Sequence, residues 1–333
     1  MSRRSLVALL CALTLIAAAC GGDEGTLTVY SGRSEELVAP LIAQFEEETG
    51  IEIEVRYGDS AELAATLLEE GENSPADVFF AQDPASLGTV RLGGLLADLD
   101  QGTLAMVPPR FSDTEGKWIG VSGRARVVVY DASVIAGDSL PESEDGLATA
   151  DWAGRVAVAP TNGSFLAFVA AKILIDGEDR TLAWLRTMAD NGAPTYPSNS
   201  VIVTAVDTGE VEAGLVNHYY LFRRIAEEGD SVVAANDFMT GGGAGSLVMP
   251  AGVGVLASTD VRTDADAFVD FMLSVPAQQY FADETFEYPL IAGVAANPSL
   301  PSLASLNPPD ISLSDLASVL DRATDLVAEA GLL

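Results

Sequence analysis

Two adjacent tyrosines, Tyr219 and Tyr220, directly follow His218, the only histidine of the chain. A phenol has an ordinary pKa near ~10, and only a highly charged hard cation, of which Fe(III) is the biologically common example, readily displaces its proton at neutral pH. Phenolate oxygens are good ligands for ferric iron. The pair therefore indicates either a ferric site or, as the alternative, two half-buried aromatic rings packed at the end of an element.

Two adjacent rings reach one ion only at an irregular turn, because neighbouring residues point about 100° apart on a helix and to opposite faces of a strand. The segment AGLV, which ends at Val216, is strand-like, and YLFRRIAEEG, which starts at Tyr220, is helix-like. The sequence therefore predicts a boundary between a strand and a helix at the tyrosines.

Residues for other kinds of chemistry are scarce. His218 could serve as the base of an extracellular hydrolase, and a Ser-His-Asp arrangement stays open, but no nucleophile is evident. The segment GGGAGS, from Gly241, lacks the lysine of a phosphate loop and the third glycine of a dinucleotide fingerprint, and we interpret it as a flexible loop. Zinc or copper sites built from His and Cys are also disfavoured. We expect a binding protein and no enzyme.

The charge balance narrows the class of partner. The 333 residues contain 49 Asp and Glu against 17 Lys and Arg, a formal net charge of −32. Nucleic acid requires a basic surface and is excluded as a partner. The acidic surface fits either an extracellular protein kept soluble by its charge or one tuned to attract metal ions.

The first residues have the pattern of an export signal. Arg3 and Arg4 precede a short apolar run, which ends in AAAC at Cys20. This predicts a signal peptide over residues 1–19. The small residues before Cys20 resemble a bacterial lipobox, so we predict that Cys20 is lipidated, that residues 20–25 form a tether, and that the protein is extracytoplasmic and held at the cell membrane. The alternative is an ordinary secretory signal.

From Thr26 onward, strand-like and helix-like segments alternate in the order βαβαβ, which predicts a parallel sheet with ligand-binding loops at the carboxyl ends of its strands. Such loops begin at Ser31, Gly58 and Ala81. Two long strand-like runs, one over residues 125–130 and one near Pro250, predict two crossings between lobes. The expected first lobe comprises residues 26–125 and 250–300, and the expected second lobe comprises residues 126–249 and 301–333.

Several segments resemble, in the same order, the ferric-iron-binding proteins of bacterial ABC importers. These segments are VYSGRSEELVAPLIAQFEEETGI, PADVFF, WIGVSGRARVVVYD, PTNGSFLAF and NSVIVTAVDTGEVEAGLVNHYYLFRR. The resemblance covers essentially the whole chain after the signal. It implies an α/β, two-lobed type II periplasmic-binding-protein fold whose hinge strands cross between the lobes, and a monomer that serves an ABC-transporter permease.

The resemblance also implies site residues. Tyr219 and Tyr220 correspond to the iron ligands of the family, and a phosphate or carbonate completes the iron shell. The positions that match the anion-binding segments are Asn162, Gly163, Ser164, Asn199 and Asn217. The charge of the site agrees with a bound anion, because two phenolates leave Fe(III) with one positive charge and about four open positions in an octahedral shell.

Two positions depart from one family pattern. Ser34 stands where some members have a histidine ligand, and Gln82 stands where they have a glutamate. Gln82 is then a candidate for contact with the metal or its water, and Asp83 and Arg33 are candidates for contact with the anion. Arg124 and Arg126 are candidates for nearby balancing cations. For all of these, ordinary surface or hinge pairing is the alternative.

The sequence thus predicts a lipid-anchored solute-binding protein that captures Fe(III) with a synergistic anion and delivers it to an ABC importer. The alternative within the same fold is a protein that binds a phosphorylated organic solute. In that case the turn that contains Asn162, Gly163 and Ser164 is the main site, and the tyrosines only stack on the ligand.

Overall fold

The computed structural model describes residues 26–333. The predicted signal peptide, Cys20 and the tether lie outside the described residues. Between Thr26 and Leu333, no helix has the length and apolar character needed to cross a bilayer.

Nine strands form the sheet system of the described chain. They are β1 (Leu27–Ser31), β2 (Ile53–Tyr57), β3 (Val78–Ala81), β4 (Ile119–Asp131), β5 (Val156–Ala157), β6 (Ala213–Asn217), β7 (Ala234–Asp237), β8 (Val248–Val255) and β9 (Tyr288–Pro289). The order is β2-β1-β3-β8-β4-β6-β5, and β7 and β9 each pair with β4.

The helices connect these strands and cover their faces. They are α1 (Glu35–Thr49), α2 (Ser60–Glu70), α3 (Pro84–Leu92), α4 (Gln101–Leu104), α5 (Gly163–Asp176), α6 (Glu178–Asp190), α7 (Asn199–Asp207), α8 (Tyr219–Glu228), α9 (Arg262–Met272), α10 (Val275–Asp283) and α11 (Leu320–Glu329).

The first lobe has the predicted βαβαβ unit. Strand β1 pairs in parallel with both β2 and β3, and α1 and α2 make the crossovers. Leu37, Leu41 and Phe45 lie on one face of α1 and are buried, as the apolar spacing of this helix requires. The loops that follow the three strands meet at one edge of the sheet, which is where parallel sheets bind ligands.

Strand β4 is long enough to belong to both lobes. Its first part pairs with β8 up to Ala125, and from Arg126 it pairs with β6. The register shifts between Gly120 and Ser122, a bulge that bends the strand. The predicted hinge strands are therefore present as β4 and β8, and the two-lobed α/β fold is confirmed.

The second lobe has its own small core on one face of its sheet. Val127 and Val129 of β4 contact Ile202 and Val206 of α7 there. Helices α5 and α6 cover the opposite face. This lobe supplies the turn that carries the paired tyrosines, because β6 leads directly into α8.

The apolar spacing of the C-terminal segment ISLSDLASVLDRATDLVAEAGLL predicts a single amphipathic helix, and the structure has two elements there. A 3₁₀ helix over Leu313–Val319 precedes α11, and it packs on α3 of the first lobe as well as on α5 of the second. Gly88 of α3 makes this close approach possible, since a Cβ there would lie 2.6 Å from the Cβ of Ala317. The lobe boundaries themselves stay a prediction.

The glycine-rich segment that begins at Gly241 is ordered and partly buried, so its interpretation as a flexible loop is wrong. The backbone amides of Ala244 and Gly245 donate to the carboxylate of Glu144 at 3.1 and 2.9 Å. Glu144 in turn accepts from Lys172 at 3.0 Å. The sequence could not show this contact, because the carboxylate lies about a hundred positions earlier in the chain.

Candidate functional site

The paired tyrosines lie at the predicted boundary. Strand β6 ends at Asn217 and α8 begins at Tyr219, so His218, whose backbone already has helical dihedral angles, is the single residue between them. The two phenol rings are stacked, with centroids 4.2 Å apart and planes 27° apart. Tyr219 is fully buried, Tyr220 is half-buried, and the Tyr219 hydroxyl has no hydrogen-bond partner among the described residues. Both side chains thus project from one turn in the same direction.

His218 fixes that turn. Its Nδ1 accepts from the Ala125 amide at 3.1 Å, so its Nε2 carries the proton and donates to the Phe286 carbonyl at 2.7 Å. Burial lowers the pKa of His218 to about 4, and the ring is neutral at pH 7. Both nitrogens are occupied by backbone groups, which leaves none to act as the base of a hydrolase.

Four of the predicted anion residues come together at the start of α5. The Asn162 side-chain oxygen accepts from the Ser164 amide at 3.1 Å and from its hydroxyl at 2.6 Å, which is an N-terminal cap. Asn199, the first residue of α7, donates to Asn162 at 3.2 Å and to the Ser164 hydroxyl at 3.1 Å. Gly163 is the first residue of α5, where backbone amides point outward and suit an anion.

Asn217 joins this group through Arg126. The two residues are partners in the pairing of β6 with β4. The Arg126 guanidinium donates to Ser164 at 3.3 Å, to Asn217 at 3.5 Å and to the Leu215 carbonyl at 3.0 Å. Burial lowers the pKa of Arg126 to about 9, so it is cationic at pH 7. The structure therefore places a buried cation among the predicted anion residues.

Arg33 and Arg124 meet at Glu287, a residue that the sequence analysis missed. Arg33 donates to Glu287 Oε2 at 2.7 Å, and Arg124 Nε lies 3.8 Å from Oε1. All three side chains are completely buried. Arg33 also lies 5.8 Å from the centroid of the Tyr219 ring. No pattern in the segment around Glu287 marks it, because its partners come from distant parts of the chain.

The first-lobe candidates Gln82 and Asp83 have different surroundings. Gln82 Nε2 reaches the Tyr220 hydroxyl at 3.5 Å, across the cleft. Asp83 caps α3, accepting from the amide of Ser86 at 2.8 Å and from its hydroxyl at 3.0 Å. Burial raises the pKa of Asp83. Because its two oxygens are engaged in the cap, Asp83 is less suited than Gln82 to contact a ligand.

The cleft between the lobes encloses a cavity of about 450 Å³. Both tyrosines line it, together with Ser34, Gln82 and Asn162. At its mouth, Arg223 of α8 pairs with Glu36 of α1 at 3.3 Å. The two lobes therefore touch at the rim while the cavity stays open beside the phenols.

Most buried polar side-chain atoms without a hydrogen-bond partner in the described chain belong to Tyr219, which lines this cavity, and to the buried residues described above. They are Tyr219 Oη, Asn199 Oδ1, Asn217 Nδ2, Glu287 Oε1, Arg126 Nε, and Nε and Nη1 of both Arg33 and Arg124. Native proteins pair nearly all such groups, and each exception requires an explanation. Donors predominate in this set, which suits a bound anion, and the Tyr219 oxygen suits a cation.

A second group of carboxylates, Glu144, Asp145 and Asp176, lies away from the cleft with oxygens within 4.8 Å of one another. The Lys172 ammonium donates to all three, at 3.0, 2.7 and 2.8 Å. A cation therefore already occupies this cluster, which is an ion-pair network and not a metal site.

The model of the bacterial extracellular solute-binding protein family matches residues 40–307. The chain belongs to this family. The solute-binding protein is 35% identical over 322 residues to the Fe(3+)-binding periplasmic protein of Serratia marcescens, covering 95% of this chain and 93% of that protein. It is 34% identical to a major ferric iron-binding protein of Neisseria meningitidis, covering 92% and 93% of the two chains.

Solved structures agree with the fold. Iron-bound HitA from Pseudomonas aeruginosa superimposes with a TM-score of 0.87 at 34% identity, covering 92% of this chain and 99% of that one. A Trichodesmium protein in complex with iron and citrate ligands gives 0.81 at 26% identity, covering 92% and 99%. The resemblance to ferric-iron-binding solute-binding proteins is therefore confirmed.

Proposed function

We propose that this solute-binding protein captures Fe(III) together with a small anion between its lobes and delivers it to an ABC importer. The observation that carries the proposal is the Tyr219 hydroxyl, which is fully buried, has no partner among the described residues, and lies beside the stacked Tyr220. An oxygen in that position loses its hydration and gains nothing unless it binds a ligand.

Hard-cation chemistry explains why two phenols are placed here. Burial raises the pKa of Tyr219, and the neighbouring Tyr220 raises it further, while Arg33 and Arg124 oppose the rise. The phenol therefore keeps its proton in the metal-free protein. Displacing that proton requires a cation as strongly polarising as Fe(III), so weaker divalent cations are excluded by the same environment that buries the oxygen.

The anion completes the site. Two phenolates leave one positive charge on Fe(III), and Arg126 and Asn217, buried near the tyrosine turn, have donors without a partner in the described chain. Phosphate or carbonate fits these donors, and citrate is a third candidate because the Trichodesmium relative holds iron and citrate. Gln82 and Ser34 offer only neutral first-lobe ligands, so iron should bind weakly unless an anion fills the open positions.

Visible spectroscopy tests the iron site. Protein stripped with a chelator and then given Fe(III) with phosphate, carbonate or citrate should develop a red to purple phenolate charge-transfer band. Tyr219→Phe and Tyr220→Phe keep the rings and remove one oxygen each, so each should weaken or shift the band. Tyr196→Phe is the matched control, because Tyr196 bonds to Glu210 away from the cleft. An unchanged band in both cleft variants would refute the ligand assignment.

The same titration distinguishes the second candidate, a phosphorylated organic solute. The cavity of about 450 Å³ is larger than an inorganic anion requires, and this favours keeping that candidate in the test. A phosphate ester that raises the melting temperature of metal-free protein while iron produces neither colour nor stabilisation would replace the ferric assignment by the organic one.

Anchoring, assembly and delivery are part of the proposal. Lipid on Cys20 would hold a monomer at the outer face of the membrane, next to its permease. Labelling with a radioactive fatty acid, in the parent and in Cys20→Ala, tests the anchor. A parent that takes no label, together with a variant that stays membrane-bound, would contradict it.

A further inference from the structure

We propose that Glu287 sets the balance between cation and anion affinity in the cleft: its single negative charge holds Arg33 and Arg124 in place and favours the metal over the anion. This inference rests on the proposed function, because it assumes that a metal and an anion share the site. Glu287 would be a positioning and specificity-determining residue that touches neither ligand.

The sheet places Glu287 beside Arg124. Strand β9 pairs antiparallel with β4 and places Tyr288 opposite Gly123. Glu287 precedes Tyr288 and Arg124 follows Gly123, so these two residues are neighbours. Glu287 is completely buried, and its Oε2 accepts from Arg33 at 2.7 Å and from the Thr285 hydroxyl at 3.0 Å. One carboxylate therefore serves two guanidinium groups, one from the loop after β1 and one from β4.

The backbone before Glu287 is held in an unfavourable conformation. Phe286 has a φ of 58°, in the left-handed region that a bulky residue rarely adopts. Its carbonyl accepts from His218 at 2.7 Å, and the Glu287 amide donates to Phe281 at 2.8 Å. Strain of this kind persists only where the surroundings determine it, and here it ties the carboxylate to the same histidine that fixes the tyrosine turn.

The two arginines keep free donors. Nε and Nη1 of Arg33 and of Arg124 have no partner in the described chain, although both side chains are buried. Glu287 occupies Nη2 of Arg33, and the Pro250 carbonyl accepts from Nη2 of Arg124 at 3.3 Å. Each guanidinium thus donates a hydrogen bond through one nitrogen and keeps unpaired donors close to Tyr219 that an anion could use.

The charges then act in opposite directions on the two ligands. With Arg126, three buried arginines lie close enough to the tyrosines to act on them electrostatically, and Glu287 lowers the combined charge of the three by one. A negative charge in a poorly solvated site attracts Fe(III) and repels the anion, each by an amount on the order of tenfold in affinity. A residue with a merely structural role would weaken both ligands together.

The experiment measures each ligand alone. Metal-free wild type and Glu287→Gln are titrated with inorganic phosphate by calorimetry, and with Fe(III) supplied from a weak chelator in anion-free buffer. The variant should bind phosphate about tenfold more tightly and Fe(III) about tenfold more weakly. Glu284→Gln is the matched control, since it removes the same charge from an exposed side chain nearby and should change neither.

Equal losses of both ligands in Glu287→Gln, or no change in either, would overturn the inference. If this variant does not fold, the double variant Arg33→Met with Glu287→Met is used, because it removes both charges of the ion pair and leaves the net charge unchanged. It should bind phosphate more weakly than wild type. Unchanged phosphate binding would overturn the inference. Failure of wild type to bind Fe(III) would instead refute the proposed function, and the phosphate titration would still test Glu287.

Discussion

Lowering the pH should destabilise the metal-free protein through His218. Burial lowers the pKa of this imidazole from 6.5 to about 4, and both of its nitrogens are engaged by backbone groups. Between pH 6.5 and 4 the unfolded chain binds a proton at this position and the folded chain does not. Its contribution to stability is therefore complete above pH 6.5 and is lost as the pH falls toward 4.

The size of the effect follows from the shift. A change of one pKa unit corresponds to about 1.4 kcal/mol, so a drop from 6.5 to about 4 gives ~3 kcal/mol for this fully buried group. His218→Gln keeps a donor and an acceptor but removes the titration. Its free energy of unfolding should be lower than that of wild type at pH 7, and the gap should close by ~3 kcal/mol by pH 4.

Urea denaturation at intervals between pH 7 and 4, with a chelator present, measures the gap directly. The difference in free energy of unfolding between the two proteins at each pH removes the contribution of the carboxylates, because these groups are the same in both. If the two stability curves stay parallel over this range, His218 is not a buried neutral histidine in solution and its role as a fixed connection between Ala125 and Phe286 is refuted.

Three further outcomes are expected. Lys172→Met leaves Glu144 buried without its cation and should cost about 3–5 kcal/mol in urea denaturation, whereas Arg180→Met, at an exposed site, should change stability by less than about 0.5 kcal/mol. Gly88→Ala forces a Cβ to 2.6 Å from that of Ala317 and should cost about 1–3 kcal/mol, with Ala317→Gly restoring the loss; no loss would contradict the close contact. Iron with phosphate should raise the melting temperature well beyond either alone, corresponding to about 4 kcal/mol at a thousandfold excess over Kd; a full rise with iron alone would show that the first lobe supplies strong ligands.

Local signals in the sequence were sufficient for the elements and for the tyrosine turn. Three such signals depend only on neighbours within one turn or one strand. They are the spacing of apolar residues in α1, the β-rich run that forms β4, and the change of pattern before Tyr219. The start of α5 was also predictable, because Asn162 caps the helix two residues from its partner. Physical chemistry at short range determines these features.

Long-range contacts account for what was missed. Arg33 and Glu287 are separated by 254 positions, and their pairing depends on how β9 docks on β4. The glycine-rich segment after Gly241 has the composition of a flexible loop, but in the folded chain its amides donate to the distant carboxylate of Glu144. In both cases a buried charge is stabilised by groups that only the folded chain brings together.

The single histidine shows how these contacts tie the site into one unit. His218 donates to Phe286, whose carbonyl lies one residue before the carboxylate that holds Arg33. The tyrosine turn and a cation from the loop after β1 are thus linked through two hydrogen bonds and the short stretches of backbone between them. A displacement of the tyrosine turn must strain these connections, and a ligand that draws the arginines toward an anion must move the same carboxylate. If metal and anion bind here as proposed, both are expected to act on this shared framework, and we predict that each binds more strongly when the other is present.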